Sequence, residues 1–283
     1  MGAVALACCL LLSFLIVRLR ATAAAQAVPS VVLVQRPAAA GGPAGAHPGP
    51  GPHAAGPSLG SCEQRIEHGR HAVPTVAVVG ASYTAGEGPG NPAQSWAVGL
   101  ARLLHWNAVI YGVPGAGYVR AAGSGRGPMD RMLGQEQLRG LDPALVIVQA
   151  GHDDVGVPAG LERSRVAAAV GLIRSAAPGA RIALLTTFSG AAGGTQALRD
   201  IDQAIVTAGT AADPRVIVMD PLGGRWRFPR AHDGLHPTAG GDAWIARTVA
   251  GILAAHGVRP APLAGAGPVI CDASVGVGKQ VNA

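Results

Sequence analysis

The chain has 283 residues, room for one or two globular units at roughly 100–200 residues per domain. Hydrophobic residues at 49% against charged residues at 13% exclude a wholly disordered chain, although 42 Gly and 22 Pro imply locally unstructured stretches. The formal charge of +6 rests on scattered arginines, with Lys279 the only lysine, and aromatics make up 4%, so neither a basic run nor a set of stacking platforms points to nucleic acid.

Residues Ala3 to Val17 form an apolar stretch broken only by Ser13, short for a membrane span, and Ala25-Gln26-Ala27 ahead of Val28 reads as a small-residue cleavage site. Residues 1–27 are therefore expected to be a secretory signal peptide. Because Arg18 and Arg20 follow the apolar run instead of preceding it, an uncleaved N-terminal anchor is the other reading. Both put the bulk of the chain outside the cytoplasm, secreted or at the cell envelope. Residues 28–61 are expected to be a linker, since Arg36 to Gly60 is Pro, Ala and Gly without apolar periodicity.

Cleavage would remove Cys8 and Cys9 and leave Cys62 and Cys271. Two cysteines in an oxidising compartment predict one disulfide, joining the two ends of the folded unit. There is no Cys-x-x-Cys spacing and the nine His are dispersed, so no metal and no cofactor are expected.

Thr75 to Ala81, Ala144 to Ala150, Arg181 to Thr187 and Arg215 to Asp220 are short, nearly unbroken apolar runs that suit strands buried on both faces, with Asn107 to Gly112 a weaker fifth. Between them lie helical stretches. Asn91 to His105 opens with Asn then Pro; Val166, Val170 and Ile173 recur at helix spacing before Pro178 and Gly179; Leu198 to Ala208 and Gly241 to Ala255 read alike. The alternation predicts an α/β doubly wound sheet of about five parallel strands with helices on both faces, over residues 62–262, followed by a tail at 263–283 that carries Cys271.

In such a sheet, sites gather beyond the carboxyl ends of the strands. The first run ends in Gly80-Ala81-Ser82-Tyr83, a later one in Gly151-His152-Asp153-Asp154, and Asp233-Gly234-Leu235-His236-Pro237 follows the last. A serine hydroxyl is a poor nucleophile until an imidazole takes its proton, and the imidazole needs a carboxylate to fix its tautomer. Asp233 and His236, three apart, can meet in a turn and leave the second ring nitrogen for Ser82. His232 lacks that spacing and reads as a surface residue. Gly115-x-Gly117-x-x-Arg120 lacks the third glycine of a dinucleotide fingerprint, and no phosphate loop is present.

On these blocks, in this order across about Thr75 to Ala255, the sequence resembles the SGNH (GDSL-type) hydrolases. The resemblance implies a flavodoxin-like sheet, with Ser82 as nucleophile, His236 as base and Asp233 as its orienting acid. It also implies an oxyanion hole from the Ser82 N–H, the Gly115 N–H of Gly112-Val113-Pro114-Gly115, and the third-block side chain at Asp153. Two positions depart from the family pattern. Ala81 stands where the family has Asp, and Asp153 where it has an Asn amide donor. An ionised carboxylate only accepts hydrogen bonds, so either Asp153 is protonated, or His152 donates in its place, or the site is slow.

The expected activity is that of an exported serine esterase or deacylase acting on a small ester, an acylated carbohydrate or a lipid, with Trp226 and Phe228 either lining the acyl pocket or covering the sheet edge. A catalytically weak binding module of the cell envelope and an O-acyltransferase stay open beside it. The chain is expected to act as a monomer, without nucleic-acid partners, and peripheral association with the cell envelope is compatible with its export.

Overall fold

The computed structural model describes residues 31–33, 62, 64–66, 73–123, 125, 127–135, 138–190, 193–262 and 267–274. The expected signal or anchor at 1–27 lies outside them, as does most of the expected linker at 28–61 and part of the tail.

Seven parallel strands form one sheet: β1 Val31–Leu33, β2 Thr75–Gly80, β3 Asn107–Gly112, β4 Leu145–Gln149, β5 Arg181–Leu185, β6 Ile217–Met219 and β7 Ile270–Asp272, in the order β1-β7-β3-β2-β4-β5-β6. The five expected strands are its β2 to β6. The two added strands come from the stretch expected as linker and from the expected tail. Each is three residues long, too short for a periodicity to show, and neither would hold alone. Their register, Val31–Ile270 and Ala108–Ile270, extends the sheet past β3.

The helices are α1 Ser82–Ala85, α2 Trp96–Leu104, α3 Met129–Gln135, α4 Leu138–Leu141, α5 Ala159–Ala176, α6 Gln196–Ala212 and α7 Ala239–Ala255. Side chains alternate across the strands and so sort the core into two layers. Ala77, Val79, Val146, Val148, Ile182 and Leu184 pack with Met132 of α3, Val166, Val170 and Ile173 of α5 and Ile201 and Ile205 of α6. On the other face Val76, Val78, Ile110, Ile147 and Leu185 pack with Trp96 and Leu100 of α2 and Ile245 and Val249 of α7. A strand buried on both faces has no polar side to show, which is why these runs are continuous in the sequence.

The segment expected as one helix, Asn91 to His105, is two. Asn91 caps a short 3₁₀ turn at Pro92–Gln94 by accepting the Ala93 N–H at 3.1 Å. Ser95 then takes an extended conformation and caps α2 by accepting the Val98 N–H. Two side-chain caps four residues apart compete with one uninterrupted helix, and both win.

Cys62 and Cys271 are joined in a disulfide, their Cα atoms 5.9 Å apart, within a buried cluster with Ile66, Val109 and Leu141. It closes a separation of 209 residues, for which loop-closure entropy gives about 5 kcal/mol as an upper value. Among the described residues, no helix is long and apolar enough to cross a membrane.

Candidate active site

Strand register places the site. Gly80 of β2 stands beside Gly112 of β3 on one side and Gln149 of β4 on the other, so three strands end at one level. The chain then leaves in opposite directions on the two flanks of β2, which opens a crevice at this switch point. Ser82, Gly115 and Asp153 follow these three ends within a few residues.

Ser82 opens α1 immediately beyond β2. The Ala81 N–H and the Thr84 N–H, one on each side of it, both donate to Oε1 of the buried Gln149 at 3.1 and 3.3 Å, and the Thr84 hydroxyl donates to the same oxygen at 3.0 Å. The serine backbone is therefore pinned by a side chain from the neighbouring strand. Sequence reasoning did not single out Gln149; its signal was a polar residue closing an otherwise apolar run.

His236 and Asp233 share a turn closed by the Arg230–Pro237 bridge, with the Ala231 N–H donating to the His236 carbonyl at 2.8 Å. Asp233 Oδ1 accepts the N–H groups of Leu235 and His236 at 2.8 and 3.0 Å, and Oδ2 lies 2.7 Å from His236 Nδ1. Burial alone would raise the Asp233 pKa. The hydrogen bonds from the His236 ring and from the two backbone N–H groups outweigh it and hold the carboxyl at about 2. Ionised Asp233 fixes the proton on Nδ1, which leaves the Nε2 lone pair facing the Ser82 hydroxyl at 3.0 Å. The Tyr83 hydroxyl donates to the Leu235 carbonyl at 2.7 Å and ties the turn to the serine segment.

The remaining expected residues fall as follows. Gly115 has φ +81°, a conformation that favours glycine, and neither its N–H nor that of Ser82 has an acceptor among the described residues. Gly117 passes so close to the Asp154 carboxylate that a side chain would collide with it. Asp154 accepts the N–H groups of Tyr118, Val119 and Arg120, which holds the loop after Gly115 in shape. Glu162 lies buried behind it, its pKa pushed up to about 8 by burial and then by Asp154.

Asp153 is partly buried, and that burial raises its carboxyl pKa, against a lowering pull from His152. The His152 Nδ1 is buried without a partner among the described residues. His232 is exposed. Phe228 is buried among aromatic rings, with the Arg230 guanidinium 4.2 Å above its face, whereas Trp226 lies half-buried, edge-on to Phe188 and Trp244. Phe188 stacks on Tyr83 at 4.2 Å, so this aromatic group backs the serine segment.

Glu87 belongs to the site and was not anticipated. Its Oε2 lies 3.3 Å from His236 Nε2, the nitrogen that also meets Ser82. Burial raises its pKa, His236 lowers it, and Asp153 and Asp233 raise it further. Its position five residues after the serine was its only signal.

A serine, an imidazole and a carboxylate in line at the carboxyl edge of a parallel α/β sheet, with free backbone donors beside the serine, can support acyl transfer. The sequence matches the model of the GDSL-like Lipase/Acylhydrolase family over residues 78–244, well over half of the chain, and the protein belongs to that family. Solved structures similar to it include a family 2 carbohydrate esterase of Cellvibrio japonicus, 18% identical, covering 64% of this chain and 60% of that one, TM-score 0.53. The carbohydrate acetylesterase Est24 of Sinorhizobium meliloti is 15% identical and covers 65% and 99%, TM-score 0.52. TesA is 21% identical and covers 63% and 97%, TM-score 0.52. These likenesses concern the fold, and the chain spans less than two thirds of the Cellvibrio enzyme. No curated protein sequence matches the chain significantly.

Proposed function

We propose that the protein is an exported serine esterase that removes O-acyl groups from acylated carbohydrates. The observation that carries this reading is the unbroken line from Ser82 Oγ through His236 to Asp233, at 3.0 and 2.7 Å. Ser82 Oγ attacks the ester carbonyl while Nε2 of His236 takes its proton, and Asp233 stabilises the imidazolium that results. The N–H groups of Ser82 and Gly115 donate to the developing oxyanion, with neutral Asp153 or His152 as a third donor. The imidazolium then protonates the leaving sugar hydroxyl. Water, deprotonated by His236, releases the acid from Ser82. Family membership supports ester chemistry, and the carbohydrate esterases among the similar folds favour a sugar ester over a lipid. Secretion is part of the proposal on the strength of the N-terminal apolar segment.

The test is a short-chain activated ester, 4-nitrophenyl acetate, together with a serine-directed phosphonate. Burst release and covalent labelling at Ser82 are expected. A folded protein that neither turns over the ester nor takes the label would overturn the reading.

Carboxylates favour a second reading. Asp153 and Glu87 both face His236, and two acids near a developing oxyanion oppose its charge. A binding module with residual or no turnover is the form the protein takes if that test fails.

A further inference from the structure

A cleft of about 700 Å³ opens beside the triad, lined by Arg199, Arg225, Arg227, Arg230 and Trp226, with Asp202 and Asp220 among its other residues. Its volume suits one or two sugar units. It abuts the catalytic turn: Arg230 pairs with Pro237 next to His236, and Gly190 on its rim faces the Gly234 carbonyl beside Asp233.

Four of its lining residues are arginines. Arg165, Arg174 and Arg215 are each paired with an aspartate, whereas none of the four cleft arginines has a carboxylate partner among the described residues. Arg230 is held by the Ser189 carbonyl at 2.9 Å and by the Phe228 ring, and Arg199 by the Gly194 carbonyl and the Gln196 side chain. Both therefore present a fixed guanidinium with donors to spare. Arg225 and Arg227 are exposed, and their side chains bond to none of the described residues, although the Arg225 N–H donates to the Leu222 carbonyl.

The floor is different. Asp220 accepts the Gly223 N–H, and Asp202 accepts the hydroxyl and N–H of Thr187. The two carboxyls also meet each other, Asp202 being buried, and together they repel a doubly charged phosphate. Trp226, fixed edge-on between Phe188 and Trp244, offers a ring on which a pyranose can lie.

We propose that this cleft seats an acidic sugar unit, a uronate, next to the acylated unit at Ser82, the arginines pairing with its carboxylate and Trp226 with its face. The inference rests on the esterase reading for the reaction but makes a binding claim that stands by itself. Planar carboxylate and guanidinium match bidentately, and such pairs are the strong ones among charge-assisted hydrogen bonds.

The experiment uses the full chain carrying Ser82→Ala, titrated in a calorimeter with trigalacturonate and with xylotriose. The acidic trisaccharide should bind at least about tenfold tighter. That preference should shrink with added salt and vanish in Arg225→Gln/Arg227→Gln. Equal affinity for the two sugars, no binding of either, or a preference that survives the double substitution overturns the proposal. With Ser82 restored, the same double substitution should lower kcat/KM on acetylated pectin but not on acetylated xylan or 4-nitrophenyl acetate. A uniform loss on all three assigns these arginines to folding or catalysis and overturns the cleft. Absence of any turnover of 4-nitrophenyl acetate sinks the esterase reading, while the titration still decides the cleft.

Discussion

Ser82 sits between two backbone N–H groups that both donate to Gln149, a buried side chain 65 and 68 residues away, whereas Asp233 and His236 occupy a more exposed turn held by local hydrogen bonds. The two halves have different tasks. The serine segment supplies both an attacking oxygen and an oxyanion donor, so its backbone must be held to within a fraction of an ångström. The histidine has only to present one nitrogen, and a single carboxylate orients it. Precision is therefore concentrated on the β2 side, where a polar side chain in a dry setting is worth most when fully bonded and costs most when disrupted.

The sharpest way to separate chemistry from scaffold is Ser82→Ala or His236→Ala. Each should lower kcat on an activated ester by about 10⁴–10⁶, and the double variant should lose little more, because the residues act as one unit. Melting temperature should hold in Ser82→Ala, since among the described residues Ser82 Oγ has only His236 as partner. Near-full activity of Ser82→Ala would assign the nucleophile elsewhere.

Breaking the two halves at their supports should distinguish them. Asp233→Asn should cost about 10²–10⁴ in kcat through the wrong histidine tautomer, with a smaller loss of stability than a buried orphan causes, because an exposed amide oxygen still accepts the turn N–H groups while the charge that favours the fold is lost. Gln149→Leu should do the reverse. It orphans the buried Ala81 and Thr84 donors and should cost about 1–3 kcal/mol by denaturant unfolding, with a smaller loss of kcat. If Gln149→Leu melts like the wild type, the pinning argument is wrong.

The third block comes next, at about 10² in rate. Burial raises Asp153, so as a neutral donor it would serve at low pH and fail as pH rises through its pKa. Asp153→Asn should then raise activity on the alkaline side. If His152 is the donor, His152→Ala is the damaging change and Asp153→Asn nearly silent. Loss at every pH in Asp153→Asn, with a harmless His152→Ala, would mean that an ionised carboxylate is required.

The smallest effect concerns Glu87. Ionised beside Nε2, it stabilises the imidazolium, while catalysis needs the neutral ring. Glu87→Gln should therefore change kcat/KM by a few-fold at most and only at pH values where Glu87 is ionised, because it removes the carboxylate that pairs with Nε2. An unchanged kcat/KM at every pH would place Glu87 outside the reaction.

How far the sequence reached follows from the range of each interaction. Strands β2 to β6 were legible because burial on both faces writes an unbroken apolar run, and Ser82, Gly115, Asp153, Asp233 and His236 because each lies in a short block with recognisable spacing. β1 and β7 were not, being three residues each and stable only as neighbours of β3. Gln149 and Glu87 were missed for a related reason: each acts on a residue that its own segment does not contain or that lies far along the chain.

Local pattern by itself determined the element types, the parallel α/β class and the presence of a serine, a histidine and an aspartate at loop ends, since periodicity, caps and turn residues act within a few positions. Tertiary structure alone decided that Gly80, Gly112 and Gln149 end at one level, that Glu87 shares Nε2 with Ser82, and that four arginines gather beside the triad. Those depend on strand register and on which loops meet across the switch point, and they are set by packing between segments whose separation in sequence carries no local signal.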